Sequence, residues 1–381
     1  MGAQDMLNLS DIVGQDEAVG RLRRVLAGER MPHAYLFAGP DGVGRRTTAT
    51  ALAAALLCDN PGGGSLLDAG EPDACGQCAS CRLMAADTHP DFHPVYKELA
   101  GYHEDPQVRS RKMQELGIPV IRSFLISPAH QAASRGRGKV FVVLEAELMS
   151  QAAQNALLKT LEEPPAGVTI ILITDRPELL LATTRSRCAT VRFGPLPREF
   201  VRRKLSENGT DDAEADFLAA YTDGSIGRAL QLAEEGIFEL KREMVSAVAK
   251  LGAGGDANLA AKLAQEMEKR ADKRIRQERS ADTPELARTL AQRRIAGEML
   301  RVLGAAFRDA LTVATGAGRE PVNIDQIDAV NALAERFEHE QLADIIEQLS
   351  EYERLIWRNV NAKIIWDNVV ITCASAARLG V

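Results

Sequence analysis

Two patterns of apolar residues divide the chain. In the first half, short continuous runs rich in β-branched residues alternate with helical stretches. Residues 35–38 (YLFA), 140–144 (VFVVL) and 168–173 (VTIILI) are such runs, and they suit strands covered on both faces of a parallel sheet. Between the last two, Ala153, Ala156, Leu157 and Leu161 fall on one helical side, and Pro164 and Pro165 stop that helix. Strand, helix, strand in this order predicts an α/β domain over residues 1–195. Beyond residues 194–197 (GPLP) the strand signal ends. Residues 198–235 read as small helices broken at Asn208-Gly209 and Asp223-Gly224, and residues 238–381 as an all-helical region. Its last long helix places Leu342, Ile345, Ile346, Leu349, Leu355 and Ile356 near one face. Residues 252–255 and 315–318 read as turns.

The length of 381 residues, 45% of them apolar, suits two or three domains, because one core rarely organises more than about 250–300 residues. With 53 acidic against 46 basic residues the net charge is −7, which excludes a generally basic nucleic-acid coat. Aromatics at 4% argue against extended base-stacking platforms. The opening residues are polar and acidic, so no secretory signal is expected, and no apolar run approaches the roughly 18 residues of a membrane span. A reducing cytoplasm is the expected compartment.

The run YLFA leads directly into residues 39–47 (GPDGVGRRT), and an Ala-rich helix follows. Strand, Gly-rich loop, helix is the context of a phosphate-binding loop. Gly39, Gly42 and Gly44 would let backbone amides turn inward, with the helix N-terminus adding positive charge. A hydrolysing loop ends in Lys, which reaches the phosphates, and Ser or Thr, which binds Mg²⁺. Here Arg45 and Arg46 stand at those positions and Thr47 comes one residue late. The run VFVVL tells the same story. Leu144 occupies the place of the Mg²⁺-holding acid, while Glu145 fills the following acidic position. ATP hydrolysis is therefore not expected, Mg²⁺ binding is in doubt, and nucleotide binding without turnover stays open.

Four of the six cysteines lie between residues 58 and 81. Cys75, Cys78 and Cys81 have CxxCxxC spacing, and Cys58 lies 17 residues upstream of the first. Four thiolates complete a tetrahedral Zn²⁺ site with no open position, which makes the expected role structural. An iron–sulfur cluster and unligated thiols are the alternatives, and His89 and His93 are nearby substitute ligands. Arg185 and Arg187 flank Ser186 at the edge of the α/β domain. They read either as a surface pair bound to local carboxylates or as an arginine finger that stabilises charge on a neighbour's phosphate. Residues 97–117, with His103, Arg109, Arg111 and Lys112, read as a solvated loop, a DNA-facing loop being the alternative.

Taken together, residues 39–44 (GPDGVG), 139–150, 155–165 (NALLKTLEEPP), 185–188 (RSRC) and 224–230 (GSIGRAL) resemble the bacterial clamp-loader AAA+ proteins of DNA polymerase III. The resemblance covers residues 8–235 well and the rest weakly, through residues 358–363 (RNVNAK). It implies a P-loop AAA+ RecA-like domain with a zinc module at about residues 58–93, a small helical lid over 196–237 and a helical collar over 238–381. It maps the zinc ligands onto Cys58, Cys75, Cys78 and Cys81, and the Ser-Arg-Cys finger onto Arg187, which would enter the ATP site of a neighbouring gamma or tau subunit. Arg228 falls at the sensor-2 position and Thr174 near sensor 1. The departures at Arg45, Arg46 and Leu144 point to a non-hydrolysing stator. Its implied partners are gamma/tau and delta subunits, with the sliding clamp and primed DNA reached through the assembly. The competing readings are an ATP-hydrolysing motor of the gamma/tau kind and a zinc-containing DNA-binding module.

Overall fold

In the computed structural model, which describes residues 8–62, 73–109, 115–252, 256–278, 284–358 and 362–375, the β-branched runs are strands. They belong to a five-stranded sheet of β1 (Ala34–Ala38), β2 (Phe92–Val95), β3 (Lys139–Val143), β4 (Val168–Thr174) and β5 (Ala189–Arg192). The order is β2-β3-β4-β1-β5, and every neighbouring pair is parallel. β1, β3 and β4 are buried along their whole length, as strands covered on both faces must be.

The sheet anchors the first of two compact units, formed by residues up to 200 together with 224–228. Its helices include α1 (Asp16–Leu26), α2 (Arg45–Leu57), α3 (Ala79–Ala85), α4 (Gln151–Glu162) and α5 (Ala182–Arg185). α4 starts where the Ser150 side chain accepts a hydrogen bond from the amide of Ala153. Its Ala153, Leu157 and Leu161 join Leu36, Phe141, Val143, Ile170 and Leu172 in one core cluster. This is the α/β class expected from the pattern.

Residues 97–117 depart from the expectation of a solvated loop. Ala100, Val108 and Leu116 are buried in the same core cluster, and Leu116 exchanges backbone hydrogen bonds with Leu148 and Ser150. The charged residues that suggested solvent alternate with apolar ones that pay for ordering the segment. Arg111 and Lys112 lie outside the described residues, as do residues 253–255 of the expected turn and residues 359–361 of the C-terminal motif.

The second unit comprises residues 201–223 and 229 onward, and it is helical throughout its described residues. The helix α6 (Arg198–Glu207) enters it at Val201. Breaks at Gly209 and Gly224, both with positive φ, separate α6, α7 (Asp212–Tyr221) and α8 (Ile226–Glu234), as the sequence predicts. There follow α9 (Ile237–Ala249), α10 (Ala257–Glu278), α11 (Pro284–Thr315), α12 (Ile327–Arg336), α13 (His339–Trp357) and α14 (Ala362–Ser375). α11 packs against α10, α12 and α13, and α13 buries Leu342, Ile345, Leu349, Tyr352 and Ile356. No described helix is long and apolar enough to cross a membrane.

The second unit encloses a charge. The Lys241 side chain is fully buried, its Nζ 2.5 Å from Asp325 Oδ1 and 4.5 and 4.8 Å from the ring centroids of Phe217 and Phe238. Burial holds its pKa below the ordinary lysine value, against the pull of Asp325. Two aromatic faces and one carboxylate replace the lost water. Asp325→Ala should therefore cost about 3–5 kcal/mol by leaving the ammonium uncompensated. Lys241→Met on top of it should recover most of that loss. Urea unfolding of the two variants measures both effects.

Candidate phosphate loop, sulfur cluster and arginine turn

The Gly-rich loop leaves β1 at its C-terminal end and turns into α2. Its shape is fixed by close backbone packing. A Cβ on Gly39 would stand 2.3 Å from the carbonyl oxygen of Phe193. Gly42 has φ +72°, its carbonyl accepts a 3.0 Å hydrogen bond from Gly227 N–H, and a Cβ there would lie 2.2 Å from Ser225 Oγ. Only glycine meets both demands. The loop tip thus sits against the start of α8, beside the backbone of Arg228. Gln15 holds the other side, donating through Nε2 to Val43 O at 3.1 Å and Gly194 O at 2.8 Å. Sequence reasoning passed over Gln15, because a glutamine before a helix carries no motif.

The polar groups of the loop find partners nearby. Arg45 is buried, and its Nη2 donates to Asp41 Oδ1 at 3.1 Å, so its charge is answered within the loop itself. Arg46 and Thr47 are exposed. Thr48, not Thr47, is the buried hydroxyl, and it bonds back to Gly44 O at 2.9 Å. A cleft of about 590 Å³ opens beside the loop, lined in part by Arg45, Arg46, Leu144, Glu145, Glu147 and Thr174. Leu144 presents hydrocarbon where an acid would hold the metal. Glu145 has left-handed backbone (φ 50°) and its carboxylate lies 2.9 Å from Lys97 Nζ. Thr174 is buried, its Oγ1 accepting from Arg176 N–H at 3.0 Å. Glu147, a further residue of this cleft, is held above the ordinary carboxyl pKa by burial.

The cysteines converge. The sulfurs of Cys58, Cys75, Cys78 and Cys81 lie within 4.8 Å of one another. Three of the pairs are 3.6–3.9 Å apart. A tetrahedron of sulfurs about 2.3 Å from a central ion has edges of about 3.8 Å, so the set fits Zn²⁺. Cys58 ends α2 and Cys78 caps α3, so the cluster ties two helices. Amides of Asn60 and Cys75 donate to Cys58 Sγ, that of Cys78 to Cys75 Sγ and that of Cys81 to Cys78 Sγ, at 3.3–3.4 Å. Burial raises the Cys58 and Cys81 pKa values. At Cys75 burial acts the same way, but the amides of Gln77 and Cys78 outweigh it and bring the thiol to about 7. Around this shell, Asp59 accepts from Ser80 and pairs with Arg135. His89 and His93 stand apart: His89 Nδ1 accepts from Asp91 N–H, and His93 stacks on Phe141 at 4.7 Å. The four cysteines could hold a metal ion. Residues 63–72 of the expected module lie outside the described residues.

Arg187 occupies the turn between α5 and β5. Its Nη1 donates to Thr183 O at 2.9 Å and its Nη2 pairs with Glu162. Arg185 is exposed. Chain direction separates this turn from the loop. Ala189, two residues beyond Arg187, is in register with Tyr35 near the start of β1, whereas the loop begins after Ala38, which is in register with Arg192. The two features therefore stand at opposite ends of the parallel sheet, about 10 Å or more apart at the strand rise of about 3.3 Å per residue.

A family model described as DNA polymerase III, delta subunit, matches residues 14–197, and one described as its C terminal matches residues 271–373. The DNA polymerase III subunit delta' of Pseudomonas aeruginosa is 36% identical over 224 residues, 58% of this chain and 61% of that one. The Escherichia coli subunit delta' is 35% identical over 226 residues, 59% and 61% of the two chains. The subunit tau of Salmonella typhimurium is 31% identical over 234 residues, 60% of this chain and 33% of that one. The match spans about three fifths of the two delta' relatives.

Four convergent sulfurs predict about one tightly held divalent ion per chain. Cys81→Ser should lose it and lower the melting temperature. Metal analysis of the purified protein beside a thermal melt checks this.

Proposed function

We propose that the chain is a member of the DNA polymerase III delta-prime clamp-loader family and acts as the non-hydrolysing stator of a clamp loader. In this reading it joins gamma/tau and delta subunits, and through the assembly helps place a sliding clamp on primed DNA. Residues 1–195 act as the AAA+ domain, 196–237 as the lid and 238–381 as the collar. Zn²⁺ at Cys58, Cys75, Cys78 and Cys81 orders the segment between the Gly-rich loop and β2. The ion supplies cross-linking and no reaction step.

One observation carries the reading: a phosphate loop without its metal-binding groups, at the opposite end of the sheet from Arg187. Hydrolysis needs Mg²⁺ held between protein and phosphates. Arg46 and Leu144 stand at both metal-associated positions, and Lys97 engages the carboxylate of Glu145. Arg187 is placed far from this chain's own loop, so a phosphate it serves belongs to a neighbour. There its guanidinium would stabilise charge on the γ-phosphate of a gamma or tau subunit's ATP, an effect worth roughly 10³–10⁵ in rate at that site. Gly39, Gly42, Gly44, Arg45, Arg46, Thr47, Glu145 and Arg228 are then the remnant of a nucleotide site.

The likeness to tau subunits keeps a second reading, a hydrolysing motor of the gamma/tau kind. The two differ in one assay. On the stator reading the purified chain turns over no ATP with Mg²⁺. Arg187→Ala leaves assembly with gamma/tau intact while steady-state hydrolysis by the complex drops to what its other sites supply. Turnover by the chain alone, lost on Glu145→Gln, would establish the motor instead.

A further inference from the structure

We infer that Glu162 sheathes the Arg187 guanidinium in cis, so that a neighbour's nucleotide must displace a carboxylate before the finger engages. The inference rests on the proposed role of Arg187 and adds its regulation.

Three observations lead to it. First, both terminal nitrogens of Arg187 are engaged within this chain, Nη1 with Thr183 O at 2.9 Å and Nη2 with the Glu162 carboxylate. A guanidinium reaches a phosphate through those same nitrogens. Contact with a γ-phosphate therefore requires at least one bond to be exchanged. Second, Glu162 is the last residue of α4. A carboxylate there faces the negative end of the helix dipole, which disfavours an acid as it favours a basic residue. The bond to Arg187 gives the acid at this position a partner outside its own helix. Third, the pair is accessible. The Arg187 side chain is 33% and the Glu162 side chain 47% exposed. Water and an incoming phosphate can reach it, so the pair can open without unfolding anything.

The strength of the sheath follows from that exposure. Half-exposed ion pairs are weak, so the carboxylate holds the finger without locking it. A triphosphate carries more charge than one carboxylate and wins the competition when it is present. When the neighbouring site is empty or holds a diphosphate, the guanidinium returns to Glu162. The competent fraction of the finger is thus reduced, and the apparent affinity of the completed site falls by the same factor.

The test is steady-state hydrolysis by the complex reconstituted from the full chain and its gamma/tau and delta partners, titrated with ATP. Glu162→Ala should lower the half-saturating ATP concentration by roughly two- to fivefold, with the maximal rate unchanged. Glu162→Gln, which keeps the shape and removes the charge, should give a smaller change of the same sign. Raising the salt concentration should shrink the difference between wild type and Glu162→Ala. In an Arg187→Ala background Glu162→Ala should do nothing. An unchanged or raised half-saturating concentration in Glu162→Ala overturns the sheath, as does an equal change in the Arg187→Ala background. Arg187→Ala alone separates the two ideas. If it leaves hydrolysis unchanged, the finger itself is wrong; if it reduces hydrolysis while Glu162→Ala is silent, only the sheath is wrong.

Discussion

A parallel sheet has two unlike ends, and chain direction alone decides what stands at each. Every strand here delivers its C-terminus to the side where the Gly-rich loop turns into α2. Every strand begins on the side where α5 hands over to β5. No adjustment of side chains brings Arg187 round to Gly44. The arrangement uncouples the two features. Phosphate chemistry can be lost at one end while the other end keeps whatever it offers to a different molecule.

The form of the loop rests on packing and does not depend on a ligand. Its glycines answer to neighbouring backbone, Gly39 to Phe193 and Gly42 to the Ser225–Arg228 turn, and Gln15 holds two carbonyls at once. These are packing demands of the fold. They persist whether or not anything binds, and larger residues at either glycine would push the turn away.

Much of this was legible in the residues themselves. The β-branched runs gave the sheet because strands buried on both faces leave little choice of side chain. CxxCxxC spacing with an upstream cysteine gave the sulfur cluster, since few other uses place four thiols at such spacing. The misses share a cause. Residues 97–117 look polar, yet Ala100, Val108 and Leu116 enter the core at spacings that follow no single period. Lys241 looks like a surface lysine until Phe217, 24 positions earlier, and Asp325, 84 positions later, close around it. Glu162 and Arg187 lie 25 positions apart and meet only because α4 ends on the side of the sheet where β5 begins. Such contacts belong to the fold, and local pattern does not encode them.

The self-contained charges of the loop have a consequence for substitution. A chain that has Arg45 bonded to Asp41, Arg46 exposed at the loop end, Leu144 at the end of β3 and Glu145 held by Lys97 does not gain a metal site through one substitution. A hydroxyl at position 46 gains nothing without an acid at 144. An acid at 144 adds an unanswered charge to a cleft already rich in carboxylates. Freeing Glu145 strands Lys97. Each such step is neutral or costly until the last, so the contacts reinforce one another. These contacts hold the cleft in its present form for as long as the chain keeps the fold.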